Sequence, residues 1–279
     1  MREVLEAALR AEAGGEPAAM VTVVSTEGST PQKAGARMLV FGDGRIVGTI
    51  GGGCLEAEMT WRAREAIGGR RPKLVSYDLT PDQAGEDGLV CGGRMQVFIE
   101  PIEGTPVLCL FGAGHVAQPL ARMAKACGFR VELADDRVKF ANAERFPEAD
   151  AIVVDDFAAA AGRLTLGPNS YAVVVTRGHK GDAEALQAVL GKGLRFVGLL
   201  GSRPKVVHIF AALEERGVSR EELALVHAPL GLEIGAQTPD EIAVSILAEM
   251  IAVRRGVDPS RSRSMKMDLP GRMSANRPA

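Results

Sequence analysis

The segment TIGGGCLE, at residues 49–56, carries the residue types best suited to chemistry. Three glycines stand directly before Cys54, where the pattern predicts the start of a helix, and Glu56 follows in the first turn. Glycine is costly to order, so a triple indicates unusual dihedrals or the close approach of another group to bare backbone. The helix dipole favours a thiolate at Cys54, as a nucleophile or a soft-metal ligand. The glycines are Gly51, Gly52 and Gly53.

A second cysteine has a similar setting. The segment LVCGGRMQ places Cys91 before two glycines at a loop-to-strand junction. Two glycine-flanked cysteines in one small region favour a chemical role, and the alternative is a pair of small buried hydrophobes beside glycines needed only for turns. The remaining two, Cys109 and Cys127, fall within a predicted strand and a predicted helix, so we expect core positions for both. Four cysteines without a C-x-x-C pair do not make a disulfide framework.

A dinucleotide-type loop occurs in the second half of the chain. FGAGHVAQ follows an apolar strand and precedes a helix, with Gly112, Gly114 and Ala117 in the G-x-G-x-x-A register. Asp135 ends the next predicted strand, about 20 residues on, as the fingerprint requires. The pattern predicts a Rossmann fold with an anion site at the helix N-terminus. Arg137 lies beside the acid, so both NAD and its phosphorylated form stay open as cofactors.

Further polar residues follow predicted strands and form candidate contacts for an anionic ligand. His115 follows the second glycine of the loop, where it would reach a bound phosphate or cap the helix. Arg203 and Lys205, in LLGSRPK, add positive charge behind Ser202, a predicted helix cap; solvated cations are the alternative. Two more candidates stand in post-strand loops, His179 and His227.

Two sequence patterns divide the chain near residues 100–106. Before this point short β-branched segments surround one predicted helix, with Leu55, Met59, Arg62 and Ala66 at helical spacing. After it, apolar strands alternate with helices, which predicts a parallel sheet covered on both faces. We therefore predict an α/β chain: a small α+β domain at 1–103, a Rossmann-like doubly wound parallel sheet domain at 104–255, and a flexible basic tail at 256–279. An Asp-Gly pair at 43–44 predicts a hairpin.

The composition excludes several classes of protein. The chain has 279 residues, 46% hydrophobic and 24% charged, with a net charge of −2 and a pI of about 6.2. No global basic field would recruit nucleic acid. No apolar run approaches the roughly 18 residues of a membrane span, and the start lacks a signal-peptide pattern. We predict a cytoplasmic protein with neither nucleic-acid nor membrane partners.

The motifs, in their order, resemble the XdhC/CoxI family of accessory proteins for molybdenum-containing hydroxylases. The resemblance rests on EGSTPQKAGARMLV, GTIGGGCLEAE, DGLVCGGRMQVFIEP, LFGAGHVAQPLA, VTRGHKGD, LLGSRPK and GLEIGAQTPDEIAVSILAE. It implies an N-terminal XdhC/CoxI domain before the Rossmann domain. It also implies that the protein binds molybdenum cofactor (molybdopterin or its dinucleotide form), protects it during sulfuration, and inserts it into an apo molybdenum hydroxylase such as xanthine dehydrogenase. A cysteine desulfurase and a second copy, in a homodimer, are the other expected partners.

This resemblance suggests a division of labour between the two domains. The glycine turn with Cys54, a candidate molybdenum contact, would hold the metal end of the cofactor, and the Rossmann loops its phosphates, across a cleft between the domains. The role is that of a chaperone rather than a turnover enzyme, and no catalytic residue is assigned. Two other functions stay open: an NAD(P)-dependent oxidoreductase, although no Tyr-x-x-x-Lys pair is evident, and a scaffold that recruits a sulfurtransferase.

Overall fold

The computed structural model describes residues 1–79 and 92–261. The helices in these ranges are α1 (Arg2–Gly14), α2 (Gly53–Gly69), α3 (Ala117–Ala126), α4 (Phe157–Ala161), α5 (His179–Val189), α6 (Arg203–Glu215), α7 (Arg220–Ala224) and α8 (Pro239–Arg254), followed by a 3₁₀ turn (Pro259–Arg261). The strands are β1 (Ala18–Glu27), β2 (Arg37–Phe41), β3 (Ile46–Gly48), β4 (Lys73–Asp78), β5 (Arg94–Ile102), β6 (Val107–Phe111), β7 (Arg130–Asp135), β8 (Ala151–Val154), β9 (Ser170–Val174) and β10 (Phe196–Leu199).

The N-terminal unit is an antiparallel sheet with a helix on each face. Its strand order is β3-β2-β1-β5-β4. Alternate residues of β1 point to opposite faces, so that Ala19 packs in the core under α2 whereas Ala18 packs in the core under α1. The sequence predicted one helix here, and α1 is a second. On α2, Ala63 takes the buried position, while Arg62, predicted on the helical stripe, forms a surface ion pair with Glu58.

The predicted hairpin is present between β2 and β3. Gly44 has a φ of 94°, a conformation open to glycine at no steric cost, and its amide donates to the Phe41 carbonyl oxygen at 2.9 Å. The Phe41 amide in turn donates to the Arg45 carbonyl oxygen at 2.9 Å and closes the turn. The turn is thus closed by hydrogen bonds among its own residues.

The C-terminal unit is a parallel sheet with the strand order β10-β9-β6-β7-β8. The chain starts in the middle at β6, moves outward through β7 and β8, then returns to the other side of β6 through β9 and β10. This is the doubly wound Rossmann order, and its switch point lies between β6 and β9. One core lies between the sheet and helices α3 and α8, and a second lies between the sheet and helices α4, α5 and α6. The predicted fold class is confirmed.

The two units meet at the amino-terminal edge of the parallel sheet. The Asn169 side-chain amide donates to the Gly104 carbonyl oxygen, and the Val107 amide donates to the Asn169 carbonyl oxygen at 3.2 Å. Arg70, at the end of α2, donates to the Pro168 carbonyl oxygen at 3.5 Å. The carboxyl-terminal edge of the sheet therefore faces away from this junction.

Two further expectations meet the structure here. Cys109 is fully buried, as predicted, but Cys127 is exposed, so the prediction of a core position for Cys127 is wrong. The reason is that Cys127 follows the last residue of α3, beyond the face that packs on the sheet. Within 1–79 and 92–261, no helix combines the length and the apolar character of a membrane span.

Candidate functional site

The glycine triple forms a turn that only glycine accommodates without strain. Gly51, Gly52 and Gly53 have φ values of 140°, 79° and 57°, all on the left-handed side of the Ramachandran map. A Cβ at Gly51 would also lie 2.5 Å from Pro31 Cγ. Among the described residues, no atom beyond its chain neighbours lies within 4 Å of the Cβ position at Gly52. Both explanations offered by the sequence, unusual dihedrals and close approach, apply.

Glu56 holds this turn in place from the first turn of α2. Its Oε1 accepts hydrogen bonds from the amides of Ile50 at 3.0 Å and Gly52 at 2.9 Å, with a longer one from Gly51 at 3.3 Å. The Thr49 hydroxyl donates to the same oxygen. Partial burial acts to raise the pKa of Glu56, but these hydrogen bonds outweigh burial and hold the pKa below its ordinary value. Two glycine amides are thus already bonded to the chain's own carboxylate.

Cys54 is an exposed, free thiol in the first turn of α2. Tyr77, near the end of β4, lies close enough for charge at Cys54 to affect it. Burial raises the pKa of Tyr77, and negative charge at Cys54 and Glu58 acts in the same direction. Sequence reasoning missed this tyrosine. The alternation along β4 carried the signal, because it puts Tyr77 on the same side as the buried Val75, facing α2.

Three motifs of the N-terminal unit converge on one corner. Gly93 packs so closely on the turn after β1 that a Cβ there would lie 2.7 Å from the Glu27 carbonyl oxygen, and nearer still to that of Ser29. Pro31, later in this turn, contacts Gly51. The segment at residues 28–31 therefore bridges Gly93 and the glycine turn of Cys54. Cys91 lies outside the described residues, so its role stays a prediction.

The Rossmann loop after β6 has the expected backbone. Gly112 has a φ of 109°, and a Cβ there would lie 2.5 Å from the Val175 carbonyl oxygen, so only glycine fits. Gly114 has open space around its Cβ position, as an approaching ligand would require. His115 is exposed at the mouth of the loop.

Asp135 is buried under the loop and binds its backbone. It is 1% exposed, and its Oδ2 accepts from the Ala113 amide at 2.8 Å. Arg137 donates Nε to Oδ1 at 2.7 Å and Nη2 to Oδ2 at 2.8 Å. Burial acts to raise the pKa of Asp135, but the bonds from Arg137 and Ala113 hold it below its ordinary value. Both carboxylate oxygens are therefore engaged within the chain.

A cleft of about 470 Å³ opens beside this loop at the carboxyl ends of the strands. Asp135, Arg137 and His179 contribute to its lining. Arg177 spans the cleft to Asp136, with Nη2 3.0 Å from Oδ2. The His179 ring also meets the ring of His208 edge to face, at 5.3 Å between centroids.

The two predicted cations Lys205 and Arg203 lie in different environments. Lys205 Nζ lies 2.6 Å from Oδ2 of Asp182, a carboxylate with no exposed surface, so its charge is held by a partner within the chain. Asp182 Oδ1 accepts from the Thr176 hydroxyl at 2.7 Å. Arg203 is exposed at the first position of α6, and Ser202 occupies the N-cap position without a side-chain capping bond.

His227 lies away from this cleft. It bridges to Gly198 alongside β10, and its ring stacks on Phe196 at 4.3 Å between centroids. Its Nδ1 lies 2.8 Å from Oε1 of Glu249, a buried residue of α8. The structure thus brings Gly112, Gly114, Asp135 and His179 to one edge of the sheet, with Arg203 following β10 there, and puts His227 elsewhere.

Cys54 and the Rossmann cleft do not share one opening within a single chain. Helix α2 is about 25 Å long, and Cys54 is at the end opposite Arg70, which meets the C-terminal unit. The residues that line the cleft all belong to the C-terminal unit, at the sheet edge remote from the junction. A cleft between the domains of one chain, as the sequence suggested, therefore does not join these two sites among the described residues.

Comparison with known proteins identifies the family. A family model described as the XdhC Rossmann domain matches residues 108–250, which is more than half of the chain. A second, described as the XdhC and CoxI family, matches residues 11–78.

The chain belongs to the XdhC and CoxI family.

Relatives of this XdhC and CoxI family chain carry names that concern molybdenum enzymes. It is 26% identical to a protein of Bacillus subtilis (strain 168) named as a probable xanthine dehydrogenase subunit, covering 87% of this chain and 94% of that protein. It is 26% identical to the Molybdenum cofactor insertion chaperone PaoD of Escherichia coli (strain K12), covering 91% of this chain and 88% of that protein.

Two more comparisons concern length and fold. The Uncharacterized protein YqeB of Escherichia coli (strain K12) is 39% identical over 239 residues, 85% of this chain but 44% of that protein, so the chain spans less than half of that relative's length. A crystal structure from Bacillus halodurans, described as a xanthine dehydrogenase, aligns with a TM-score of 0.50 at 26% identity. The alignment covers 93% of this chain and 98% of that one.

Proposed function

We propose that this chain is an accessory protein that binds molybdenum cofactor as its cargo, protects it during sulfuration and delivers it to an apo molybdenum hydroxylase. Membership of the XdhC and CoxI family supports the proposal, as do the names of two relatives. The observation that carries it is the exposed Cys54 thiol, in the first turn of a helix and on a turn built from three left-handed glycines.

The chemistry of this corner suits a flat cargo with a soft metal. A thiolate is a soft ligand, and Cys54 is accessible. At Gly52 a planar ring could approach the backbone without meeting a side chain of the residues that the structure describes. Glu56 engages the amides of Gly51 and Gly52, so its role is to fix the shape of the turn rather than to touch the cargo.

The Rossmann loop suits the phosphate end of such a cargo. Gly114 leaves room beside the first turn of α3, where backbone amides favour an anion. His115, His179 and Arg203 are exposed near the same edge and would supply further donors. The carboxylate of Asp135 is engaged by Arg137 and Ala113, which disfavours the ribose-binding role that an NAD(P)-dependent oxidoreductase would give it.

The proposal includes three protein partners. An apo hydroxylase would receive the cargo, and a cysteine desulfurase would supply the sulfur for it. A second copy of this chain is the third, because Cys54 and the Rossmann cleft lie at remote ends of one chain. If both contact one cargo molecule, Cys54 of one copy would act with the loops of the other.

The binding test uses two exposed cysteines as a matched pair. Purified wild-type protein, Cys54→Ala and Cys127→Ala are each incubated with released cofactor and passed over a gel-filtration column. We expect molybdenum and oxidised-pterin fluorescence to elute with the wild type and with Cys127→Ala, and to be strongly reduced with Cys54→Ala. Elution of all the pterin in the small-molecule fraction of the wild type would reject the proposed function.

The delivery test measures the activity of a target hydroxylase after incubation with loaded protein and a cysteine desulfurase. Cys54→Ala and Gly114→Val are expected to fail when tested separately. A mixture of the two variants, co-expressed so that mixed dimers form, should recover part of the activity if the two sites act across a dimer. Full activity of Cys54→Ala by itself would remove the thiol from the mechanism.

A further inference from the structure

A second cavity, of about 570 Å³, lies where the two units meet. Its lining combines the end of α2 and the end of β5 with the start of β10 and the end of α8. Five arginines and two glutamates line it, an excess of positive charge. The arginines are Arg70, Arg71, Arg195, Arg254 and Arg255. None of them belongs to the glycine turn of Cys54 or to the cleft at the other edge of the Rossmann sheet.

Arg195 is the innermost of these cations. Its side chain is only 8% exposed. Nη2 donates to the Arg254 carbonyl oxygen at 2.5 Å, whereas Nη1 is buried and finds no hydrogen-bond acceptor among the residues that the structure describes. Nη1 lies 3.7 Å from Oε2 of Glu103, which is beyond hydrogen-bond distance. A buried guanidinium donor without an acceptor destabilises the fold unless a further group accepts a hydrogen bond from it.

A second buried polar group stands beside Arg195. Tyr171 has no exposed surface, and its hydroxyl also finds no hydrogen-bond partner within the described ranges. The Arg195 guanidinium carbon lies 5.9 Å from the centre of the tyrosine ring. Burial raises the pKa of Tyr171 well above its ordinary value, and Arg70 and Arg254 oppose this. Charges that line the cavity thus act on a buried hydroxyl that has no hydrogen-bond partner among the described residues.

Helix termini explain only part of this arrangement. Arginines near the ends of α2 and α8 complement the negative ends of the helix dipoles. That accounts for the four arginines at the helix ends but not for the buried, incompletely bonded Arg195, which precedes a strand. Arg70 is the only non-glycine residue with positive φ, at 49°, in the described chain, and it is the left-handed C-cap of α2, so the helix end also accounts for its conformation.

We propose that this cavity is a binding site for a small molecule that bears a phosphate or pyrophosphate group. A guanidinium fork matches phosphate oxygens with two parallel hydrogen bonds, and the five arginines of the lining outnumber its two glutamates. The volume lies within the range of small-molecule sites. The ligand would accept a hydrogen bond from the buried Nη1 of Arg195. It would also link the two units, because Arg70 and Arg71 belong to the N-terminal unit and Arg255 belongs to the C-terminal unit.

The inference does not depend on the proposed function. The cavity lies at the amino edge of the Rossmann sheet and at the end of α2 opposite Cys54. Loss of cofactor delivery in Cys54→Ala would therefore leave binding at the cavity unchanged.

The test is isothermal titration calorimetry of the full chain at low ionic strength with pyrophosphate, inorganic phosphate and a nucleoside diphosphate. Arg195→Gln removes the buried donor, and Arg71→Gln combined with Arg255→Gln removes two exposed cations without disturbing the core. Arg64, an exposed arginine of α2, is not part of the lining, and Arg64→Gln is the control matched in charge to Arg195→Gln. Thermal unfolding checks that each variant is folded, and the double variant tests the site by itself if Arg195→Gln is not.

We expect saturable pyrophosphate binding at one site per chain. Loss of one hydrogen bond to a charged group should weaken binding about tenfold or more in Arg195→Gln and in the double variant. Arg64→Gln should stay within about twofold of the wild type. Tighter binding of the nucleoside diphosphate than of pyrophosphate would identify an organic phosphate as the ligand, and the reverse an inorganic one. Absence of saturable binding of all three probes, or binding that the cavity variants leave unchanged, would overturn the inference.

Discussion

Replacing Glu56 should destabilise the N-terminal unit, because its carboxylate holds the glycine turn. One carboxylate oxygen accepts four hydrogen bonds, from the hydroxyl of Thr49 and from the amides of Ile50, Gly51 and Gly52. In Glu56→Ala these donors lose their acceptor, and three consecutive left-handed residues lose the group that compensates for ordering them. In Glu56→Gln the side-chain oxygen can keep the position, but the charge is lost.

The magnitude follows from the partial exposure of the turn. A hydrogen bond to a charged group contributes about 1.5–3 kcal/mol when well buried, but water replaces part of it here. We therefore expect Glu56→Ala to lower the free energy of unfolding by about 2 kcal/mol and Glu56→Gln by about 1 kcal/mol, comparable with the loss of a strong helix cap. The control is Glu65→Gln on the same helix, whose ion pair with Lys73 is exposed, and we expect a change within about 0.5 kcal/mol.

The pH dependence gives a second, independent readout. The pKa of Glu56 is lower in the folded chain than its ordinary value. Its contribution is therefore fully present above the unfolded-state pKa, about 4.3, and is lost as the pH falls through the lower folded-state pKa. The difference between the wild type and Glu56→Gln should be constant near neutral pH and should shrink in acid.

The assay is urea unfolding followed by the fluorescence of Trp61, the single tryptophan, which lies on α2 itself. Titrations at neutral pH and below about pH 4 measure both effects on the unit that contains the turn. The reasoning is wrong if Glu56→Ala matches Glu65→Gln at neutral pH. It is also wrong if the difference for Glu56→Gln grows in acid.

Three further predictions concern the Rossmann unit, each measured by denaturant unfolding with circular dichroism. Gly112→Ala should lower the free energy of unfolding by about 2 kcal/mol because the added methyl meets a backbone carbonyl. Gly114→Ala should change it by no more than about 0.5 kcal/mol, and equal effects of the two substitutions would contradict the loop geometry. Lys205→Met should cost about 3 kcal/mol by leaving the buried Asp182 unpaired, and a neutral result would mean that the ion pair is dispensable. Asp135→Asn should cost about 2 kcal/mol at neutral pH, a difference that shrinks as the pH falls below about 3.9, because the folded-state pKa is the lower one; a difference that persists in acid would contradict this.

Much of the fold could be predicted because its signals are local. The hairpin at Asp43-Gly44 depends on dihedrals that two adjacent residues set, and the loop at Gly112 on a spacing within eight residues. Strand and helix periods similarly predicted the two sheets and most of the helices. Helix α1 was not predicted, because its buried face consists only of Val4, Ala7 and Ala11, and two small alanines in a charged segment give little apolar periodicity. Arg62 was predicted on the buried face of α2 because of its helical spacing, but its guanidinium pairs with Glu58 at the surface.

The candidate site could be predicted only in part. The sequence indicated that Cys54 would begin a helix behind a strained turn, and both features are present. It gave no indication that Glu56 would bond to the turn amides, or that Tyr77 would pack against the core under α2. Asp135 was predicted as a ribose-binding acid from its spacing, yet its bonds to Arg137 depend on where the side chains meet in three dimensions.

By itself, the sequence determined most of the order of the strands and the positions where glycine is required, because dihedral preference and apolar periodicity act over a few neighbouring residues, and its motifs resemble those of the family. Only the tertiary structure decided which charges are engaged and which are not. Lys205 pairs with Asp182, and His227 lies against Glu249. Arg195 and Tyr171, in contrast, are buried with polar atoms that have no hydrogen-bond partner among the described residues. Such pairings join residues distant in sequence, and their strength depends on burial and on distances that the packing of whole helices and sheets sets.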